Sequence, residues 1–206
     1  MATPTAPVLR KPAEAEHPIH ALIGERWSPR AFADRPVAQG TLHSVLEAAR
    51  WAASTANQQP WHFVVATRED AAAHARMVGT LMELNVRWAQ HAPVLMLVAA
   101  RLYEWPGKEH TSFYDVGLAV GNLVTQATHL GLITHQMGGF YADTAREVLR
   151  IPAGYEPLAV IALGYPGAHE ALPEDLRERE VAPRSRKLQR EFVFAGRWGE
   201  RLVAAS

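Results

Sequence analysis

The stretch FYDVGLAVGNLVTQATHLGLITHQMGGF, residues 113–140, determines the fold class of this chain. Its first part is apolar and long, and it predicts a helix over 113–130 that Gly131 is placed to cap. The residues that follow, 132–136, predict a short strand. A long apolar helix that leads directly into a strand indicates a domain in which helices pack against a sheet.

Helical and strand patterns alternate on both sides of this stretch. Leu42, Val45, Leu46 and Ala49 are spaced to form one face of an amphipathic helix. The predicted elements are a helix over 41–52, a strand over 63–65, a helical segment over 69–90 that breaks near Gly79, a strand over 94–99, a helix over 144–150 capped by Asp143, and a strand over 158–163. Helices interleaved with four or five short strands indicate a single domain of the α+β or mixed α/β class.

The composition limits the classes of function. The 206 residues include 21 basic and 21 acidic side chains, and a zero formal charge argues against binding nucleic acid or an anionic membrane. The absence of cysteine excludes disulfides, iron–sulfur clusters and cysteine nucleophiles. The longest apolar run, 92–100, is too short for a membrane helix, and the first residues do not resemble a signal peptide. We therefore expect a cytoplasmic protein.

The two ends differ from the middle. Residues 1–18 are rich in proline and small residues and predict a flexible tail, which leaves 19–206 as one domain. Residues 174–191 are highly charged, and an apolar segment, 192–206, follows them. That segment is too short for a core of its own, so we expect it to dock on this domain or on a second copy of the chain.

Four polar segments could bind a ligand. RWSPR at 26–30 could form an anion cradle, because arginine supplies a rigid donor fork and serine adds a short donor. The segment 53–61 is dense in hydroxyl and amide side chains. The segment 131–140 contains Gly138 and Gly139, whose N–H groups a ligand can approach closely. PRSRK at 183–187 could be a second phosphate clamp. Taken singly, each also fits an ordinary role as a capping loop, a turn or a solvated charged face.

Several common sites are not indicated. The ten histidines show no metal-ligand spacing, so we expect no metal. The sequence has no Gly-x-Ser-x-Gly, no Walker loop and no Gly-x-Gly-x-x-Gly motif, so three common enzyme classes are without their usual signal.

Taken together and in order, the four segments resemble the FMN-dependent nitroreductase family. RWSPRAF resembles the N-terminal motif of the family, and ARWAASTANQQPWHFVV resembles its loop before a strand. Residues 113–140 resemble the central helix and glycine turn of the family, and PRSRK resembles its C-terminal phosphate clamp. The resemblance implies an α+β fold with a mixed, mainly antiparallel sheet flanked by helices. It also implies a homodimer in which C-terminal arms are exchanged, and this would place the segment 192–206 on a partner.

The resemblance also implies a site. Arg26, Ser28, Arg184 and Arg186 would hold the FMN phosphate and ribityl chain, with Trp27 beside them. Arg30 would lie near N1 and O2 of the ring and stabilise its reduced form. The remaining implied contacts are made by Ser54, Thr55 and Asn57 from the neighbouring subunit, by Met137 packed on the ring, and by the amides of Gly138 and Gly139 facing N5 and O4.

The activity implied is electron transfer from NADH or NADPH, through FMN, to a small-molecule acceptor such as a nitroaromatic or a quinone, in a ping-pong reaction. Two alternatives stay open. One is a specialised flavin reaction on the same fold, such as reductive dehalogenation or flavin cleavage. The other is a flavin-binding protein without turnover. The segment 102–112 is short where well-studied members carry a helical lid, so no acceptor is transferred from the resemblance.

Overall fold

A single antiparallel sheet forms the centre of the molecule. The computed structural model describes residues 8–105, 107 and 110–202. The strands are β1 (Trp61–Thr67), β2 (Val94–Arg101), β3 (Ile133–Met137) and β4 (Tyr155–Gly164), and they lie side by side in the order β1-β2-β4-β3. Each pair of neighbouring strands in the described chain is antiparallel. The predicted α+β class with a mainly antiparallel sheet is confirmed.

Seven α-helices surround this sheet in the described residues. They are α1 (Ala21–Glu25), α2 (Gln39–Arg50), α3 (Ala71–Val78), α4 (Glu83–Ala89), α5 (Thr111–His129), α6 (Ala142–Val148) and α7 (Glu174–Val181). No helix in these residues has both the length and the hydropathy required to span a bilayer.

The helices form a layer on each face of the sheet. Val45 of α2 and Leu123 of α5 pack with Met96 and Ile161 in one core. Side chains of α3, α4, α6 and α7 pack with alternate residues of the same strands, such as Leu97, in the other. Both faces of β2 are therefore covered, and this explains why its sequence is continuously apolar and does not alternate.

Glycine marks two helix ends as the sequence predicts. The predicted break near Gly79 separates α3 from α4. Gly131 follows α5 with φ of +72°, a left-handed conformation that glycine adopts at no steric cost. Its N–H donates to the carbonyl of Thr128 at 3.1 Å, so the end of the helix is closed as expected.

Three local predictions need correction. Asp143 does not cap α6, because the helix begins one residue earlier and Asp143 lies inside its first turn, where its charge favours the positive end of the helix dipole. The helices α1 and α7 have no counterpart in the predicted elements. In α7, Glu174 and Asp175 occupy the first turn after Pro173, so the charges that suggested a solvated surface also favour a helix start.

The two ends of the described chain lie on the surface. Residues 8–18 contain no helix or strand, but the Ala13 N–H donates to the Gly24 carbonyl at 2.8 Å. Phe192, Trp198 and Leu202 are exposed. The tail over 1–18, the single domain over 19–206 and the exchange of the arm 192–206 remain predictions, and residues 1–7 and 203–206 lie outside the described residues.

Candidate functional site

The segment with the RWSPR motif runs beside the end of β4. The Ala33 N–H donates to the Tyr165 carbonyl, and the Gly167 N–H donates to the Ala31 carbonyl, each at 2.9 Å. A Cβ atom at Gly167 would lie 2.5 Å from the carbonyl carbon of Phe32, so only glycine permits this approach. The sheet therefore fixes the main chain from which the predicted ligand-binding side chains project.

Arg26 faces two arginines from the other end of the chain. It lies in the same groove as Arg184 and Arg186, and its Nη1 is 3.4 Å from the Ser28 hydroxyl oxygen. The groove has a volume of about 590 Å³ and is lined by residues 13–17, 19, 23, 26 and 184–189, which include Glu14 and Glu16. The structure thus brings together Arg26, Ser28, Arg184 and Arg186, the four residues for which a phosphate-binding role was predicted.

These three arginines lie close to one another, and the same groove is also lined by Glu14 and Glu16. Within the described part of the chain, none of them forms a salt bridge. Burial lowers the pKa of Arg26, and the positive charges of Arg184 and Arg186 lower it further. Arg184 is held by the main chain, because its Nη1 donates to the carbonyls of Lys11 and Gly24 at 2.6 and 2.7 Å. Such a group of cations is suited to an anion.

Trp27 lies beside this cluster. The Lys11 ammonium is 4.6 Å from the centroid of its ring, within cation–π range. Burial lowers the pKa of Lys11, and the positive charges of Arg184 and Arg30 act in the same direction while Glu180 opposes them. Lys11 therefore adds a further positive charge near the predicted phosphate site.

Arg30 has a different environment. Its Nη1 is 3.2 Å from Oε2 of Glu180, and its main-chain N–H donates to Oε1 of the same carboxylate at 2.7 Å. The Glu180 side chain is 1% exposed and that of Arg30 is 22% exposed. The guanidinium that was predicted to face the flavin ring is thus paired with a buried acid from α7.

His135 of β3 contacts the main chain of the RWSPR segment. Its Nδ1 lies 3.0 Å from the Pro29 carbonyl oxygen, and because a carbonyl only accepts, Nδ1 must donate. The ring is 4.4 Å from that of Trp88. Burial lowers the pKa of His135 to about 4, the positive charges of Arg30 and Arg26 also lower it, and the carbonyl contact opposes these effects. The imidazole is neutral at pH 7.

The loop with Ser54, Thr55 and Asn57 is fixed from within the domain. The Thr55 N–H donates to Oδ2 of Asp115, a buried residue of α5, at 2.8 Å. The Tyr103 hydroxyl donates to the same oxygen at 2.8 Å. Burial of Tyr103 raises its pKa, and the hydrogen bond to Asp115 raises it further. The Ser54 hydroxyl accepts from the Gln59 N–H at 3.0 Å.

This loop also has a constrained main chain. Ala56, Asn57 and Gln59 all have positive φ, between 47° and 56°, which is uncommon for residues other than glycine. In the described residues no hydrogen bond or salt bridge joins the loop to the arginine cluster. Its predicted contact with a cofactor held by a neighbouring subunit remains a prediction.

The glycine turn follows β3 at the edge of the sheet. The Gly139 carbonyl accepts from Asn85 Nδ2 at 2.9 Å and from the Met82 N–H at 3.1 Å. Among the described residues, the N–H groups of Gly138 and Gly139 donate to no other protein group. Met137 is 3% exposed and packs in the core, and its predicted contact with the flavin ring remains a prediction.

Sequence reasoning missed Glu180 and Asp115 as supporting residues. Asp115 had a usable signal, because it lies on the buried stripe of α5 where the pattern otherwise demands a small or apolar residue. Glu180 had none, since its neighbours in sequence are charged as well and its partner Arg30 is 150 positions away.

The chain is similar to known proteins in both sequence and fold. The model of the nitroreductase family matches residues 23–165. A solved structure described as an oxidoreductase containing FMN superposes with a TM-score of 0.83 at 37% identity, over 91% of this chain and 96% of the other. A protein of Methanothermobacter thermautotrophicus, for which NADH dehydrogenase or NAD(P)H nitroreductase activity has been proposed, is 30% identical over 70% of this chain and 75% of its own.

A second kind of relative has a different named activity. The iodotyrosine deiodinase of Danio rerio is 25% identical over 191 residues, which is 79% of this chain and 64% of the deiodinase. The deiodinase is therefore similar to this chain over most of the domain but carries sequence that this chain does not match.

Proposed function

Because this chain belongs to the nitroreductase family, we propose that it is an FMN-dependent oxidoreductase that transfers electrons from NADH or NADPH to a nitroaromatic, quinone or related acceptor in a ping-pong reaction. The observation that carries this proposal is the cluster of Arg26, Arg184 and Arg186, none of which forms a salt bridge within the described residues. The similarity to an FMN-containing oxidoreductase supports the same cofactor. A cytoplasmic location is part of the proposal and rests on the sequence.

The donor groups fit the cofactor. A terminal phosphate carries two negative charges that the three guanidinium groups and the Ser28 hydroxyl can bind by charge-assisted hydrogen bonds. Within the part of the chain that the structure describes, the N–H groups of Gly138 and Gly139 have no acceptor, and they can donate to ring heteroatoms. Bound FMN would accept a hydride at N5 and deliver electrons to the second substrate, while the residues of this chain bind and orient it.

The first test is the identity and redox behaviour of the chromophore. Protein denatured after purification, or after reconstitution with flavin, should release FMN and not FAD, because the clamp surrounds a terminal phosphate. Under anaerobic conditions NADH or NADPH should bleach the visible band, and a nitroaromatic or a quinone should restore it. Recovery of FAD, or of no flavin after reconstitution, would refute the proposal.

Reductive deiodination is the second candidate, supported by the deiodinase relatives. In that reaction two electrons and one proton convert an aryl iodide to the arene and iodide. Iodide release from an iodotyrosine by the reduced protein, at a rate above that for nitroaromatics, would favour this activity. Reoxidation by nitroaromatics or quinones without iodide release would favour the first. A chromophore that NAD(P)H does not bleach would indicate flavin binding without turnover.

We also propose a homodimer. Gly117 and Gly121 of α5 are exposed, and a Cβ at either position would meet no neighbouring part of the described chain within 4 Å. Tyr114, one turn before Gly117, and Leu118, between the two glycines, are exposed as well. Small residues at this spacing let two helices approach closely. The loop at Thr55 is attached to the first turns of α5 through Asp115, which lies on the buried face of that helix.

A matched pair of substitutions tests the dimer. Gly121→Arg places a long charged side chain at an exposed position of α5, whereas Ala75→Arg places one on the exposed face of α3 in the opposite layer. Sedimentation should show a dimer for the parent and for Ala75→Arg, and a monomer with reduced flavin content for Gly121→Arg. A parent protein that sediments as a monomer with full flavin content would contradict the shared site.

A further inference from the structure

We propose that Glu180 is a positioning residue that fixes Arg30 against the cofactor site and partly neutralises it, and that it thereby sets the reduction potential of bound FMN. This inference rests on the proposed function. It assigns a role to an acid that none of the four ligand-binding segments contains.

Glu180 of α7 is hydrogen-bonded to the segment that contains Arg30. Its carboxylate receives the Arg30 main-chain N–H at 2.7 Å, the Arg30 guanidinium at 3.2 Å and the Ala31 N–H at 3.4 Å. One acid therefore determines both the path of the main chain and the direction of the guanidinium. The Glu180 main-chain carbonyl in turn accepts from the Lys11 ammonium at 2.8 Å.

The burial of the carboxylate makes its charge effective. Glu180 is fully buried, and neither water nor mobile ions can screen a charge in that position as they screen a surface charge. Arg30 is its salt-bridge partner among the described residues. A buried acid at this distance cancels part of the field that the guanidinium exerts on its other neighbours.

The consequence for FMN follows from charge alone. The reduced cofactor is more negative than the oxidised one, so a nearby positive charge favours reduction and a nearby negative charge opposes it. Arg30 and Glu180 act in opposite directions on the same equilibrium. A merely structural acid would not produce effects of opposite sign when each partner is neutralised in turn.

The test uses four variants of the flavin-loaded protein. Glu180→Gln and Arg30→Gln each remove one charge with little change in volume, and the double variant removes both. Glu156→Gln is the matched control, because Glu156 also pairs with an arginine, Arg146, but lies at the start of β4 outside the arginine segment. Reduction is measured by equilibration with a reference dye of known potential.

We expect the ratio of reduced to oxidised FMN, at fixed dye potential, to rise about tenfold in Glu180→Gln and to fall about tenfold in Arg30→Gln. For a two-electron couple each change corresponds to about 30 mV. The double variant should return near the parent, and Glu156→Gln should not move. Equal ratios in all variants, or shifts of the same sign in the two single variants, would overturn the inference.

A second measurement separates this inference from the proposed function. Without flavin, Arg30→Gln should unfold at lower denaturant concentration than the parent, and Glu180→Gln added to it should restore part of the loss, because the isolated buried charge is removed. If the protein binds FMN but its reduction potential does not shift in opposite directions in Glu180→Gln and Arg30→Gln, only the role of Glu180 is refuted. A protein that binds no FMN refutes the proposed function and this inference together.

Discussion

Arg26 and Arg30 lie four positions apart in one segment but have opposite electrostatic environments. Arg26 faces Arg184 and Arg186, and in the described residues it forms no salt bridge. Arg30 is paired with the buried Glu180. The same residue type therefore provides a free positive charge at one end of the segment and an ion pair at the other.

The difference indicates a division of labour along the segment. Like charges held together without a partner destabilise a folded chain, so the protein gains from them only when an anion binds. A buried ion pair holds the main chain whether or not a ligand is present. We expect substitutions at the first end to change ligand affinity and substitutions at the second to change stability.

The largest expected effect is on stability at the paired end. Arg30→Ala leaves the Glu180 carboxylate buried with only main-chain donors, and removal of one partner of a buried pair costs about 3–5 kcal/mol of unfolding free energy. Denaturant unfolding of the flavin-free protein measures it. Arg26→Ala is the control and should change stability by less than about 0.5 kcal/mol. Equal losses for both would remove the distinction between the two ends.

The next effect is the response to acid. His135 has a pKa of about 4 in the folded protein against 6.5 in an unfolded chain, so the unfolded state binds more protons between these values. Above pH 6.5 the titration of His135 does not reduce the unfolding free energy. As the pH falls towards 4, the unfolding free energy decreases by about 3 kcal/mol in total, because the unfolded chain binds the proton more tightly.

Unfolding titrations at pH 7.5 and 4.5 measure this loss. His135→Gln should reduce the difference in stability between the two pH values, because glutamine does not titrate. His129→Gln, at the exposed end of α5, should leave it unchanged. A parent protein equally stable at both pH values would show that this imidazole does not titrate with unfolding.

A smaller effect should appear at the free-charge end, in affinity. Arg186→Ala removes one charge-assisted contact to the proposed phosphate and should weaken FMN binding by about 1.5–3 kcal/mol, with the stability of the flavin-free protein unchanged. Fluorescence titration with FMN measures the dissociation constant. Arg190→Ala, exposed and outside the groove, should bind FMN like the parent. A change in stability without a change in affinity would reverse the assignment.

The smallest effect concerns an acid whose partners are neutral. Asp115 accepts from the Thr55 N–H and the Tyr103 hydroxyl. Tyr103→Phe removes the hydroxyl donor and should lower the unfolding free energy by about 1 kcal/mol. Tyr165→Phe is the control, because Tyr165 contacts Arg35 through its ring, which the substitution keeps. A loss as large as that of Arg30→Ala would mean that an acid with neutral partners is as sensitive as the ion pair.

Local patterns were sufficient for most of the fold. The apolar periodicity of α2 and α5, the break at Gly79 and the left-handed Gly131 are all encoded within a few neighbouring residues. The charged helix α7 was missed because its hydrophilic sequence buries only Leu176 and Glu180, and two buried positions make no recognisable stripe.

The site was predictable in its residue types more than in its pairings. The resemblance named Arg26, Arg184 and Arg186 together, and the structure places them in one groove. It could not show that Arg30 has an acidic partner, because this contact joins segments 150 positions apart and depends on how α7 packs. Long-range pairings of this kind follow from tertiary structure and leave no periodic trace in the sequence.

The contact between the two ends of the chain has a consequence for the order of events during synthesis. Ribosomes make proteins from the N-terminus at roughly 5–20 residues per second. All four strands described for the sheet have been made once Gly164 is added, before the first residue of α7. The Arg30 N–H must wait for a carboxylate encoded 150 codons later. The arginine segment therefore reaches its final path only after α7 has been made.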